Sequence, residues 1–257
     1  MNNAFARRLG AEVLGTMILV YFGGAIALTV PQLPGGLAFG LALVIAVLVV
    51  GPISGAHVNP TVTLALALRG RFAWRDVTPY VVSQLVGGVI AGVLLFLSFG
   101  HSGSKSGLAA THVNPPFDSG KYLIAALLLE ALGTFLLCYT VISLTDPART
   151  GNTPVAFGIG FALAVGAMAA GAATGGSLNF ARTFGPELML SLTGGSSQWG
   201  HIWVYLIGPV IGAALAAYLH GWLNATAEAP AATPPAAAPK AAPKQAARTA
   251  AKATQGK

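Results

Sequence analysis

Apolar residues gather along this chain into long runs rather than alternating with polar ones, and the runs sort into two classes. A helix needs about 17–25 predominantly apolar residues to cross the hydrocarbon of a bilayer. Six stretches meet that length: Leu9–Val30, Gly35–Gly51, Thr78–Phe99, Tyr122–Leu144, Pro154–Ala173 and His201–Leu223. Two more, Val58–Leu68 and Leu178–Leu192, are too short to cross. Each begins at a turn-like Gly/Asn sequence and reads as a half-helix. The pattern predicts an all-α membrane protein with six transmembrane helices and two re-entrant half-helices over 1–224, followed by a disordered Ala/Pro/Lys tail over 225–257.

Composition points the same way. The chain is 54% hydrophobic and 8% charged, against about 25% charged residues in a soluble domain, so lipid is its expected solvent. A net charge of +7 would suggest nucleic acid in a soluble protein. Here five of the fourteen basic residues, Lys240, Lys244, Arg248, Lys252 and Lys257, lie in the tail, and no nucleic-acid partner is expected. The single cysteine, Cys138, sits in an apolar run and reads as a buried side chain. Arg7 and Arg8 ahead of an apolar stretch, with Ala25-Ile26-Ala27 behind, mimic a cleaved signal peptide. Glu12 within that stretch, and recurrence of its pattern far downstream, oppose cleavage.

Positive charge gives orientation. With both termini cytoplasmic, the inner side carries Arg7, Arg8, Arg69, Arg71, Arg75, Arg149 and the five tail cations, and the outer side carries Lys105 and Lys121. Arg182 falls in the second half-helix and belongs to neither face. The expectation is a multi-pass protein of the cell membrane.

The two halves repeat, over about 5–100 and 121–224. Glu12-Val-Leu-Gly15-Thr16 matches Glu130-Ala-Leu-Gly133-Thr134 at an offset of 118 positions, and Ala38-Phe39-Gly40 matches Ala156-Phe157-Gly158 at the same offset. Asn59 matches Asn179 at 120, and Gly87-Gly88 matches Gly208-Pro209 at 121. Each half holds three spans, so the second half enters from the opposite face, as an inverted repeat. The two half-helices then approach the midplane from opposite sides.

Non-helical backbone is tolerated at membrane depth only inside protein or along a watery cavity. Both half-helices start near an Asn, so both positive helix ends point to the centre. Asn59 and Asn179 there can bond the first amides and turn side-chain NH2 donors towards a lumen. Such a passage accepts the oxygen of a neutral solute and opposes cations, hydronium included.

Ser54-Gly-Ala-His57-Val-Asn59-Pro60-Thr61-Val-Thr63 resembles the first signature of the major intrinsic protein (aquaporin) family, and Gly176-Ser-Leu-Asn179-Phe180-Ala181-Arg182-Thr-Phe184-Gly185-Pro186 resembles the second. The resemblance covers about residues 5–224. It implies a right-handed six-span bundle, a homotetramer with one pore per subunit, and passive passage of water. Its usual Asn-Pro-Ala triplet is here Asn59-Pro60-Thr61 and Asn179-Phe180-Ala181. Pro60 suits a first helical position; Phe180 frees an amide and adds bulk where the half-helices meet.

The resemblance further assigns an outer selectivity filter to Phe39, Ala167, Gly176 and Arg182. An arginine deep in a membrane costs at least about 2.5–3.5 kcal/mol and needs a partner or a wet site. Strict water channels of the family place His where this chain has Ala167. A methyl group there, and no side chain at Gly176, leave room for glycerol, urea or neutral metalloid hydroxides. The glycerol-facilitator pattern of two aromatics and an Asp after the Arg is not met, since Thr183 follows Arg182. Tyr205-Leu206 looks closer to nodulin-like intrinsic proteins. The resemblance also gives Glu12 and Glu130 the task of bracing the re-entrant loops.

Other readings remain. Carboxylates inside spans serve proton-coupled transporters, so a proton- or cation-coupled secondary transporter using Glu12 or Glu130 is the alternative, and a purely structural membrane protein is a third class. His57 reads as a packed loop histidine, with a pH gate as its alternative. His112-Val-Asn114-Pro115 repeats the letters of the first motif but no apolar half-helix follows, so it reads as an outer-loop coincidence. No His, Cys and carboxylate cluster has metal-ligand spacing, Ser54 has no catalytic partner, and neither an enzyme nor a cofactor is expected. Gly15, Gly87, Gly88 and Gly92 are expected to permit close helix packing.

Overall fold

The computed structural model describes residues 3–147 and 154–225; Arg149 and the tail beyond Ala225 lie outside them. Among the described residues eight α-helices follow in order: α1 (Asn3–Thr29), α2 (Gly35–Ser54), α3 (Pro60–Leu68), α4 (Trp74–Lys105), α5 (Gly120–Leu144), α6 (Val155–Thr174), α7 (Phe180–Thr193) and α8 (Val204–Asn224). A 3-10 turn, Trp199–His201, leads into α8. Six of these elements are long and apolar enough to span a membrane, and α3 and α7 are the two short ones.

The observed ends differ from the expected ones in an instructive way. α1 starts six residues early, at Asn3, and α4 runs from Trp74 to Lys105 rather than from Thr78 to Phe99. Those extra turns carry Arg7, Arg8, Arg75, Asp76 and Lys105, polar residues that a hydrophobic run cannot report. Arg8 and Asp76 are themselves paired at 3.3 Å, which fastens the start of α1 to the start of α4.

Both half-helices begin by the same device. Asn59 caps α3 from extended backbone (φ −156°, ψ 126°), and Asn179 caps α7 likewise (φ −155°, ψ 107°). The Asn59 side-chain oxygen accepts the Thr61 N–H at 2.9 Å, and that of Asn179 accepts the Ala181 and Arg182 N–H groups at 3.0 and 3.3 Å. The full helices before them also end alike, at Gly55 (φ 89°) and Gly175 (φ 74°), where only glycine turns the chain without a Cβ penalty.

Small residues let the helices approach. α2 packs on both α1 and α6, α4 on α1 and α7, and α5 on α6. At the α2–α6 crossing a Cβ built on Gly40 would lie 2.6 Å from the Gly160 carbonyl oxygen, and one built on Gly92 of α4 would lie as close to that of Gly185 on α7. Gly15 and Gly133, equivalent in the repeat, receive the loop side chains of Val58 and Leu178. The outward faces carry apolar side chains such as Phe22, Leu97, Ile124, Phe161 and Leu215, each more than half exposed, as a surface meeting lipid requires.

Candidate pore and filter

Glu12 and Glu130 determine where the two re-entrant loops sit. One oxygen of Glu12 accepts from the Ser54 hydroxyl (2.6 Å) and the His57 N–H (3.0 Å); the other accepts from the Val58 N–H (2.8 Å) and Gln84 Nε2 (2.7 Å). Glu130 accepts from the Thr174 hydroxyl (2.6 Å), the Ser177 N–H (2.9 Å) and the Leu178 N–H (2.8 Å). Both carboxylates are fully buried. The loops need such fastening. Ala56, Val58 and Leu178 all have positive φ, of 47°, 42° and 58°, at about 1–3 kcal/mol each for residues with a Cβ.

Between the loops the two Asn side chains exchange contacts. Asn59 Nδ2 donates to the Leu178 carbonyl and Asn179 Nδ2 to the Val58 carbonyl, both at 2.8 Å. An amide NH2 has two N–H groups, so each Asn keeps a second one. The sequence expectation of donors aimed at a lumen is thereby refined: half of that capacity ties the opposing loops together. Both Asn residues line a cavity of about 430 Å³. Its wall continues through Gly55, Ala56, His57 and Val58 and an apolar side of Leu19, Leu43, Leu137 and Leu163 to Arg71, Thr145 and Pro147 at its far end. There Arg71 pairs with Asp146 and donates to the Ile142 carbonyl, bridging the α3–α4 connection to the end of α5.

The two departures from the usual triplet have local explanations. The Thr61 hydroxyl donates to Asn59 Oδ1 at 2.7 Å, a second donor on the cap oxygen. Phe180 does not line the cavity. Its ring lies 6.0 Å from that of Phe184, one turn along α7, and it packs on the cluster of Val113, Ala126, Val204 and Tyr205. Its bulk is therefore taken up by that cluster and not by this cavity.

The four residues assigned to the filter fall into two contacting pairs, Arg182 with Phe39 and Gly176 with Ala167. Arg182 is 5% exposed, and its guanidinium lies over the Phe39 ring at 3.9 Å from the centroid, within cation–π range. One guanidinium nitrogen, Nη1, donates to the Ala109 carbonyl at 2.7 Å, while Nε has no hydrogen-bond partner. Ala167 is buried against Gly176. Gly176 has φ 63°, and a Cβ on it would lie 2.8 Å from the Ala167 Cα. The missing side chain there permits a backbone-to-backbone contact with α6.

His57 is buried, and its ring packs on Phe72 and Tyr80. Nδ1 lies 3.1 Å from the Thr63 hydroxyl, which is also 3.1 Å from the Asn59 carbonyl and receives Gln84 Nε2 at 3.0 Å. The hydroxyl has one proton, and the Asn59 carbonyl can only accept it. Nδ1–H of His57 therefore donates to Thr63. In the other half Ser177 and Thr183 take these positions, with their hydroxyls 2.5 Å apart. The hydrogen-bonding roles of Thr63 and Thr183, Ser54 and Thr174, and Gln84 and Tyr205 at the loops were not read from the sequence. Their offsets of 120, 120 and 121 positions follow the repeat, and that regularity was the available signal. Ala109 had none.

The coupled-transporter alternative needs a carboxylate in the path. Glu12 and Glu130 direct their oxygens at donors of the loops and, for Glu12, at Gln84, and neither lines this cavity. Among the described residues no group of three or more His, Cys, Asp or Glu side chains could hold a metal ion.

A family model described as major intrinsic protein matches residues 1–220. The chain is 38% identical over 237 residues to a probable aquaporin AqpM of Archaeoglobus fulgidus, covering 82% of this chain and 94% of the relative. It is 32% identical over 222 residues to a glycerol uptake facilitator protein of Bacillus subtilis, covering 77% and 78%. Its fold is similar to the X-ray structure of the aquaglyceroporin from Plasmodium falciparum, with a TM-score of 0.73, 23% identity, and coverage of 84% of this chain and 95% of that one.

Proposed function

The chain belongs to the major intrinsic protein family, and we propose that it is a passive channel for water and other small uncharged solutes. The observation that carries this reading is the pair of converging half-helices. Each starts at an Asn whose amide retains an N–H beside a shared cavity, with two positive helix ends opposing cations. Similarity to proteins called aquaporin and glycerol uptake facilitator supports water and a small polyol as the solute class.

In this reading Phe39, Ala167, Gly176 and Arg182 form the outer filter. Arg182 offers its donors to a passing oxygen and repels cations; Ala167 supplies a methyl group where a narrower channel has an imidazole. Glu12, Glu130 and His57 brace the loops and take no part in transport. The chain is no enzyme. The charge asymmetry of Arg7, Arg8, Arg69, Arg71 and Arg75 against Lys105 and Lys121 supports cytoplasmic termini in a cell membrane, and the family resemblance supports a homotetramer.

The test is osmotic shrinkage of proteoliposomes holding the full chain. Water flux well above that of empty liposomes is expected, with no ionic current and no dependence on a proton gradient. A panel of glycerol, urea and arsenous acid then ranks the solutes. Shrinkage no faster than empty liposomes for water and every solute would overturn the channel reading. A flux that requires a proton gradient would restore the coupled transporter.

A further inference from the structure

The segment between α4 and α5 carries His112-Val-Asn114-Pro115, a motif the sequence left without a role. It begins no half-helix, yet it is fastened at several points. The Asn114 N–H and side chain donate to the Ala173 and Ala172 carbonyls at the end of α6. The Thr111 hydroxyl lies 2.7 Å from that of Thr183. The Ala109 carbonyl holds Arg182.

The remaining fastening is a buried charge. Glu187 lies on α7, five residues beyond Arg182, and its side chain is 1% exposed. One of its oxygens accepts the Gln198 backbone N–H, and the Gln198 side chain accepts the Val113 N–H at 3.1 Å. The other oxygen has no hydrogen bond and faces His112 Nε2 at 3.5 Å. A carboxylate stripped of water needs a countercharge or a full set of donors, and Glu187 Oε2 has only His112. That imidazole is 23% exposed and reaches a polar cavity also lined by Lys105.

We propose that Glu187 and His112 are positioning residues for the outer filter: the charge on His112 sets how firmly the 106–119 segment holds Arg182, so that discrimination at the filter follows the pH on the side this segment faces. The proposal rests on the reading of Arg182 as a filter residue. Its sign follows from the pair. Protonated His112 attracts the Glu187 carboxylate and tightens the segment; a neutral imidazole does not. Other charged or titratable groups among the described residues surround the pair. Arg182 lies on α7, Lys105 at the end of α4, and Tyr205 on α8 within electrostatic reach of Glu187. His201 is bonded to the Asp118 carbonyl on the far arm of the segment.

Two measurements on the full chain in lipid test it, between about pH 5 and 8, the range in which histidine charge changes. The first is hydrogen exchange of residues 106–119, corrected for the intrinsic pH dependence. The second is the ratio of glycerol to water permeability in proteoliposomes. Protection of the segment should fall about fivefold or more on raising the pH, as for a typical coupling between sites, and the permeability ratio should change with it. His112→Gln should fix the high-pH behaviour at every pH, and His112→Lys the low-pH behaviour. Protection that is flat with pH in the unaltered chain, or a pH response that survives His112→Gln, would overturn the latch. A pH-dependent segment beside a flat permeability ratio would overturn its hold on the filter. Absence of any flux would count against the channel itself, and the exchange data would still decide the latch.

Discussion

Replacing Glu130 by Gln changes one oxygen to an NH2 and removes a charge without changing shape, so its effect can be worked from the three bonds at that side chain. The amide oxygen fits best at the position that receives both the Thr174 hydroxyl and the Ser177 N–H. The NH2 then faces the Leu178 N–H, which now meets a donor at 2.8 Å instead of an acceptor. A hydrogen bond to a charged group is lost, at about 1.5–3 kcal/mol, and a buried N–H is left without a partner, at about 1–3 kcal/mol. Leu178 is fully buried and held at φ 58°, so water cannot repair the loss and the strained backbone is released. The loss of about 4 kcal/mol falls on the loop that presents the carbonyl to Asn59 and positions Asn179. At about 1.4 kcal/mol per tenfold, the seated loop loses nearly a thousandfold in relative population. Stopped-flow shrinkage of proteoliposomes with equal protein content should show water flux sharply reduced, and thermal unfolding in detergent should move to lower temperature. Glu130→Gln with unchanged flux and unchanged unfolding would refute the bracing argument. Unchanged unfolding with lost flux would instead point to a carboxylate that acts in transport.

Three further outcomes follow from the same geometry. Arg182→Val should admit cations: a cation passing the guanidinium at about 6 Å, at an effective dielectric of about 20, is opposed by about 3 kcal/mol, or about a hundredfold; vesicle conductance is the measurement, and none appearing would remove Arg182 from the barrier. Ala167→His should slow glycerol and urea more than water in the shrinkage assay, because in the proposed filter an imidazole then replaces a methyl group; equal slowing of all solutes would show that Ala167 lies off the passage. Gly176→Ala should destabilise the protein by about 2–5 kcal/mol, from the left-handed backbone and the crowding at the Ala167 Cα; a melting temperature matching the parent would show that the α6 contact gives way freely.

The spans, the half-helices and their Asn starts were all legible in the sequence, because each is set by residues near one another along the chain. An apolar run of sufficient length must find lipid, and an Asn before a short apolar segment has a helix start to cap. The repeat went further. Two equal patterns with three spans each dictate an inverted pair, and that topology brings Asn59 and Asn179 together across 120 positions. The glutamates were legible as braces only through the family resemblance, since a carboxylate in a span looks the same whether it binds a proton or a loop.

What the sequence alone determined, then, is a chain that crosses a membrane six times and dips in twice, with an amide donor at the tip of each dip. The tertiary structure decided the chemistry around those tips. It gave half of each Asn amide to the opposite loop, put the Phe180 ring against Tyr205 and Val113 and away from the cavity, and made Gly176 a packing requirement. It also placed Ala109 under Arg182, 73 positions away, and Glu187 under His112. The physical reason is the reach of the interactions. Hydrophobic length and helix capping act within a few residues, whereas a backbone carbonyl that holds a buried guanidinium is supplied by whichever loop the packed helices bring to it.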